Sequence, residues 1–351
     1  MRGTVAIALI WLGAAGCGRI GFDRNRDAAD DSTSVIVDVL RPDANFTTRH
    51  WVNRNDGTPG GLFAPRMVFD DARGTIVMYG GDVNTITSAG MWELTGAGWN
   101  VLCDPCAPGP RYSHALAYDA IRDRVILFGG LDDGNNPLND VWEWDGTTWS
   151  LRTTTGTPPT VRDRASAMVI DGSLYVVGGA PNNVPTDELF TLSSTGTWSQ
   201  PGAAGSRVVA NYGMPIAYDA VAHQLYAFAD DGDRTGALKR DELYRWDVAA
   251  GGPWTTVCTA CSGLPRNSVS IVFDPDLGLL WMFTGFDGNE IKGTWQLQSN
   301  AWQPFDAQLP PARDSVGVAY DPSRHVIVMY GGNGNSCGGG NCAETWELVP
   351  N

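Results

Sequence analysis

Six of the seven cysteines fall in close pairs: Cys103/Cys106, Cys258/Cys261 and Cys337/Cys342. Paired thiols form disulfides, ligate zinc or run thiol–disulfide exchange. Many connectivities are open to six cysteines, and local pairing is the simplest. Each such bridge closes a short loop, so it constrains that loop more than it stabilises a fold. A redox CxxC needs a thioredoxin-like βαβ setting, and neither CxxC pair has one.

Two further sets of residues have chemistry in their spacing. Arg66, Arg111, Arg164, Arg266 and Arg313 recur ahead of apolar runs, four of them directly after a proline or one residue beyond it. Guanidinium groups suit carboxylates, either those of an acidic ligand or those of the chain itself. Repetition at similar sites favours a structural pairing with a neighbouring Asp or carbonyl. Asp231, Asp233, Thr235 and Glu242 stand at the first, third, fifth and twelfth places of a calcium-loop spacing, with Gly236 at the sixth. Lys239 and Arg240 oppose a cation there, and the flanks read as strands rather than helices. His50, His114, His223 and His325 are scattered, and no Ser/His/Asp order or nucleophile elbow appears.

The elements that must position these residues are read best from Arg124 to Trp149, RVILFGGLDDGNNPLNDVWEWDGTTW. Val125 to Phe128 is an apolar run suited to a strand covered on both faces. Gly129-Gly130 breaks it, Asp132 to Asn139 reads as a loop, and Val141 to Trp144 reads as the next strand. Asp145-Gly146 is a two-residue hairpin signal leading to a strand at Trp149. Ser113 to Tyr118 supplies one more strand upstream. Four antiparallel strands in roughly 50 residues match one propeller blade.

The unit repeats. The second glycine of the break falls at Gly81, Gly130, Gly179, Gly285 and Gly332, with Asp230 in its place in the fourth copy. The first strand ends at Asp70, Asp119, Asp171, Asp219, Asp274 and Asp321, and a third-strand aromatic recurs at Trp92, Trp142, Phe190, Tyr244, Trp295 and Trp346. An apolar strand into Gly-Gly, then a spaced aromatic, then a Trp resembles the kelch repeat. The resemblance covers about residues 49 to 351, and copies four and five depart from it at Ala229-Asp230 and Thr284-Gly285. It implies an all-β fold, a six-bladed kelch-type β-propeller with one four-stranded blade per repeat.

Closure follows from the last copy. The first five copies carry a fourth-strand Trp at Trp99, Trp149, Trp198, Trp254 and Trp302, but only five residues follow Trp346. Trp51, in a segment that no copy claims, is expected to bring residues 49 to 53 in as the outer strand of the last blade. That removes an open edge. In such blades all three cysteine pairs lie in loops on one face. The two CxxC pairs then sit three blades apart, too far for one zinc. The disulfide-stiffened face becomes the expected working surface.

Composition and the N-terminus bound the rest. The chain has 351 residues, a net charge of −15, 43 Gly and 14 Trp, and an acidic balance argues against a nucleic-acid partner. Residues 1 to 16 read as a signal peptide: Arg2, then an apolar run from Val5 to Leu12 that is too short to span a bilayer. Ala14-Ala15-Gly16-Cys17 resembles the bacterial lipobox, which implies lipidation of Cys17. Residues 17 to 48 are rich in Asp and read as a disordered tether between lipid and domain.

The expected function is a monomeric, lipid-anchored cell-envelope protein, on the outer membrane, that presents the propeller as a module binding a protein or glycan. The kelch resemblance adds arginines at the channel mouth as grips for acidic ligands. No catalytic residue and no cofactor is expected, apart from calcium at Asp231–Glu242. The alternative is an envelope carbohydrate-active enzyme of the sialic-acid mutarotase or epimerase kind, which requires an acid/base pair in the channel.

Overall fold

The computed structural model describes residues 48–54, 59–83, 86–201, 213–229, 241–259, 261, 268–286, 291–305, 309–337 and 340–351. Cys17 and the segments on either side of it, Arg266, Asp231, Asp233 and Thr235 lie outside them.

Six antiparallel sheets follow one another along the chain, five of four strands and one with a fifth strand added in parallel. Blade 1 consists of Arg66–Asp70, Thr75–Tyr79, Met91–Thr95 and Gly98–Cys103; blade 2 of Ala115–Asp119, Arg124–Leu131, Pro137–Trp144 and Trp149–Leu151. Blade 3 uses Ser166–Ile170, Ser173–Val177, Leu189–Leu192 and Thr197–Ser199; blade 4 uses Ile216–Asp219, Gln224–Ala229, Glu242–Asp247 and Thr255–Thr259. Blade 5 uses Ser270–Asp274, Leu279–Phe283, Thr294–Gln298 and Ala301–Pro304. Blade 6 takes Gly317–Asp321, Val326–Tyr330 and Thr345–Pro350 from the end of the chain and Arg49–Asn53 from its beginning. Arg49–Asn53 runs antiparallel to Thr345–Pro350, with Trp51 opposite Leu348. The closure expected from the unclaimed Trp51 is therefore present.

Two local expectations change. In blade 2 the second strand runs on through Gly129 and Gly130 to Leu131, and the third begins at Pro137. Both glycines hold positive φ, 59° and 95°, which bends the strand without ending it. The Asp145-Gly146 turn is a four-residue loop between Trp144 and Trp149. Asp145 accepts the amides of Thr147 and Thr148, and those bonds hold its carboxyl well below the usual range.

The core is divided among the seams between blades. Each of six clusters of buried side chains draws on two adjacent blades. One contact recurs across these seams. The outer-strand Trp of a blade meets, edge to face, the aromatic that precedes the glycine pair, or its counterpart, in the blade before it. Trp99 meets Tyr330, Trp149 meets Tyr79, Trp198 meets Phe128 and Trp302 meets Phe228, with centroids 5.3 to 6.2 Å apart. Trp51 meets Phe283 at 5.6 Å in the same way. In blade 3 the preceding residue is Val177, and Trp254 leans on Trp246 of its own blade. Aromatic pairs of this geometry add to their burial.

A third expectation changes at the cysteines. Cys106 and Cys261 lie in the links between blades, as expected, but their bridges do more than constrain a loop. Each is buried, Cys106 in the seam between blades 1 and 2 beside Trp149, and Cys261 in the seam between blades 4 and 5 beside Trp302. The chain turns inward after the outermost strand because the Cys106 amide donates to the Ala89 carbonyl at 2.9 Å and the Cys261 amide to the Asp241 carbonyl at 3.0 Å. Buried sulfur behaves as an apolar group, so Cys106 and Cys261 add to the packing between blades as well as closing a loop.

Blade 3 carries a fifth strand. Thr155–Gly156 pairs in parallel with Thr197–Ser199 and covers the outer edge of that blade.

Candidate functional site

The register of four isolated bridges defines equivalent positions at the channel. Phe63, Tyr112, Asp163 and Asp314 each pair with the residue that follows the glycine pair of their own blade. The next residue in each case, Ala64, Ser113, Arg164 and Ser315, has a positive φ between 51° and 57°, and Ser268 in blade 5 shares it at 56°. This left-handed turn aims the start of each of these innermost strands along the axis.

The first residues of the innermost strands line a cavity of about 480 Å³, with all six blades contributing. Small and hydroxyl side chains dominate: Ala115, Ser166, Ser270 and Gly317 at the strand starts, and Ser113, Ser268 and Ser315 one turn above. Among the described residues, charge enters at three, Arg66, Arg164 and Asp82. A concave site with a few convergent polar groups is the usual form of a ligand pocket.

The structure separates the five arginines named from sequence. Arg111 and Arg313 occupy one position, immediately before the bridging residue, and both are buried. Arg111 donates to the Gly129 carbonyl and pairs with Asp140 at 2.9 Å. Arg313 donates to the Gly331 carbonyl and pairs with Glu344 at 2.5 Å. Arg162, overlooked in the sequence, is the third member: it donates to the Gly178 carbonyl, pairs with Glu188 at 2.9 Å and lies over the Phe190 ring. These arginines bolt the linker to the glycine carbonyl and are structural. Burial lowers the pKa of Arg162 and of Arg313, and the paired glutamates oppose that shift. The acidic partner stands two residues before the third-strand aromatic in each case. In blade 1 these two places hold Leu62 and Gly90, so no such pair exists there.

Arg164 sits two residues further along than Arg162, lines the cavity and pairs with Asp163 at 3.0 Å. Arg66 lies further still, at the start of the inner strand of blade 1. Its Nε donates to the carbonyl of His114 at 3.0 Å, and no carboxylate pairs with it among the described residues. Burial pulls its pKa down to about 10. Among the described residues, Arg66 is thus the least compensated cation at the channel.

His114 itself is fully buried and stands where blades 5 and 6 have Val269 and Val316. Neither ring nitrogen has a hydrogen-bond partner among the described residues, and the ring meets Tyr79 edge to face at 5.4 Å. Burial, with Arg66 and Arg111 nearby, holds its pKa well below the ordinary value. It does not line the cavity and reads as a neutral packed residue.

All three cysteine pairs are disulfides: Cys103–Cys106, Cys258–Cys261 and Cys337–Cys342. Cys103 and Cys258 lie in outermost strands that run toward the next blade, and each is tied to its buried partner, Cys106 or Cys261, three residues on. These two bridges therefore anchor the links to the seams, and none of the four sulfurs is left to act as a thiol. Cys337–Cys342 brackets the link between the second and third strands of blade 6. The antiparallel order puts all three links on the face where the inner strands begin and the cavity opens. The last bridge supports the cavity wall: Cys342 donates its amide to the Gly332 carbonyl, and Asn341 Nδ2 donates to the Asp82 carbonyl at 2.6 Å. Of the calcium-spaced residues, Glu242 is described. It lies in the third strand of blade 4 and accepts the Tyr244 hydroxyl.

Residues 72–228 match the KLHDC2/KLHL20/DRC7 Kelch-repeats domain family. This chain is a kelch-repeat β-propeller. Kelch domain-containing protein 3 of Bos taurus is 28% identical over 259 residues, 66% of this chain and 63% of that protein. Dynein regulatory complex subunit 7 of Chlamydomonas reinhardtii is 39% identical over 82 residues, 23% of this chain and 7% of its own length. Rab9 effector protein with kelch motifs of Mus musculus is 36% identical over 104 residues, 28% of this chain and 27% of that protein. The chain spans less than two thirds of the length of each of these kelch relatives.

Proposed function

We propose that this kelch propeller is a binding module that takes an anionic segment of a protein partner at the mouth of its channel. The observation that carries this reading is Arg66, a cation without a carboxylate partner among the described residues, lining a cavity that six blades build. Arg66 is half-buried, and an uncompensated guanidinium partly withdrawn from water is costly unless a ligand pairs with it. Arg164, already paired with Asp163, adds a second guanidinium to the lining, and the hydroxyls of Ser113, Ser166 and Ser315 add donors. Stiff disulfide loops around the mouth lower the ordering cost of binding. The relatives support the reading at the level of a kelch interaction module, one of them being named as a Rab9 effector.

The anchoring belongs to the same proposal. Ala14-Ala15-Gly16-Cys17 makes the chain a lipoprotein of a bacterial envelope, held at the membrane through Cys17 alone, with residues 17 to 48 as its tether. Globomycin should then leave the precursor uncleaved, and normal processing in its presence contradicts the lipid anchor.

Selection of a random-peptide display library on the immobilised protein tests the binding site. Enriched peptides should share one carboxylate-bearing residue, and Arg66→Gln should lose them while melting at the wild-type temperature. Retention of the same peptides by Arg66→Gln overturns the reading. A glycan array run in parallel tests the carbohydrate ligand, which enters the same mouth if it carries a carboxylate.

A further inference from the structure

Arg66 and Asp82 both belong to the first repeat and both line the cavity. They are not paired with each other. Arg66 has the His114 carbonyl as its one polar partner among the described residues. The Asp82 carboxylate accepts no hydrogen bond among the described residues, and its Oδ1 is sealed from solvent without a donor. Two opposite charges thus share one cavity and stand apart in it.

The rest of the mouth does the opposite. Arg111 with Asp140, Arg162 with Glu188, Arg164 with Asp163 and Arg313 with Glu344 are all within 3.0 Å. Both unpaired residues are nevertheless held in place. Asp82 exchanges two backbone hydrogen bonds with Phe63, and its carbonyl takes the Asn341 side chain. Arg66, which lines the cavity, is fixed through Nε, and its terminal nitrogens have no hydrogen-bond partner among the described residues. Charges positioned in advance and left without partners are the form a site takes when the ligand supplies both counter-charges.

We propose that the cavity binds a small zwitterion, its anionic group on Arg66 and its ammonium on Asp82. The ligand class is an amino acid, free or as a group on a larger molecule. This rests on the channel mouth being the binding site, and it adds a requirement that an acidic peptide alone does not meet. Asp82 repels a second negative charge, so the site selects a single anion accompanied by a cation. A volume of about 480 Å³ admits a molecule of this size with water around it.

Calorimetric titration of the protein with glycine, β-alanine, 4-aminobutyrate and 6-aminohexanoate varies the charge separation in steps. Acetate, propionate, butyrate and hexanoate are the matched acids, and ethylamine, propylamine, butylamine and hexylamine the matched amines. One amino acid of the series should bind at least about tenfold tighter than its matched acid and amine, as expected for one added charged hydrogen bond. Asp82→Asn should reduce that amino acid to parity with the acid, and Arg66→Gln should remove binding of both. The wild-type comparison needs no variant, so it stands even if Asp82→Asn does not fold. The proposal is overturned if no amino acid gains over its acid, if none of the series binds, or if the gain survives Asp82→Asn. Acids that bind through Arg66 with no gain for the amino acids would leave the channel reading intact and reject this one.

Discussion

Arg54 Nη1 lies 2.8 Å from Glu347 Oε1, joining two residues from opposite ends of the chain. Arg152 Nη1 lies 2.8 Å from Glu143 Oε1 in blade 2. The two pairs are copies of one device. Arg152 follows Trp149 by three residues, as Arg54 follows Trp51. Each glutamate also takes an arginine from its own blade, Arg324 or Arg122, which in turn holds Asp321 or Asp119. Each outer arginine reaches the following blade, Arg54 to the Thr95 carbonyl of blade 1 and Arg152 to the Ser193 carbonyl of blade 3. The N-terminal strand is therefore a full substitute for an ordinary fourth strand, down to its ion pairs.

Removing that strand should undo the ring. Deletion of residues 46 to 54 exposes the edge of Thr345–Pro350 and the seam around Phe283. The milder Trp51→Ala loses a buried ring and its hydrogen bond to Thr294, at a cost of about 3–5 kcal/mol. Chemical denaturation should show that loss. An unchanged midpoint for the deletion would mean that blade 6 is stable with three strands.

Thr284 should be improvable. It holds φ 55° at the place where other blades use Gly80, Gly129, Gly178 and Gly331, and its buried hydroxyl has no partner among the described residues. A left-handed backbone costs a non-glycine residue roughly 1–2 kcal/mol, more for a β-branched one. Thr284→Gly should raise stability by about 1 kcal/mol, after the entropy that glycine adds to the unfolded chain. A lower melting temperature would show that the hydroxyl has a bonding role.

The arginines should divide into two classes. Arg111→Met, Arg162→Met and Arg313→Met each leave a buried glycine carbonyl without its donor and should cost about 2–4 kcal/mol. Arg66→Gln should change stability little and binding greatly. Denaturation midpoints of the four variants check this, and a severe loss for Arg66→Gln alone would make it a structural residue.

Acid should weaken the fold through His114. Its pKa is depressed in the folded state, so the unfolded chain takes up a proton that the folded chain refuses. The sign is fixed by that: stability is full above the ordinary value of 6.5 and falls as pH drops below it, by up to about 1.4 kcal/mol per pH unit. His114→Val, with the residue used at this place in blades 5 and 6, should flatten the profile between pH 7 and pH 5. Equal slopes for variant and wild type would show that His114 takes up a proton in the fold.

Most of this architecture is written in the chain because repetition amplifies weak signals. Trp51 could be assigned to blade 6 since five other copies show what a fourth strand must contain. The cysteine spacing gave the local pairing, but not the burial of Cys106 and Cys261, which depends on where the next blade packs. The site is less legible because repetition also makes different places look alike. Arg66, Arg111 and Arg164 resemble one another beside their strands, yet the bridge register puts them at three different places. The left-handed residue that sets this register is Ala64, Ser113, Arg164, Ser268 or Ser315, and none of these types announces such a backbone. Arg162 could have been found by its partner, since Glu188 precedes Phe190 as Asp140 precedes Trp142. Asp82 could not, because its importance lies in what it fails to touch.

The most direct test locates the ligand. Met67 lines the cavity of the kelch propeller, whereas Met282 and Met329 are sealed in the seams around blades 5 and 6. Methyl NMR of methionine-labelled protein, titrated with a peptide enriched in the display selection, should shift the Met67 signal and leave those of Met282 and Met329 in place. Binding that leaves Met67 unmoved would put the working surface somewhere other than the channel mouth.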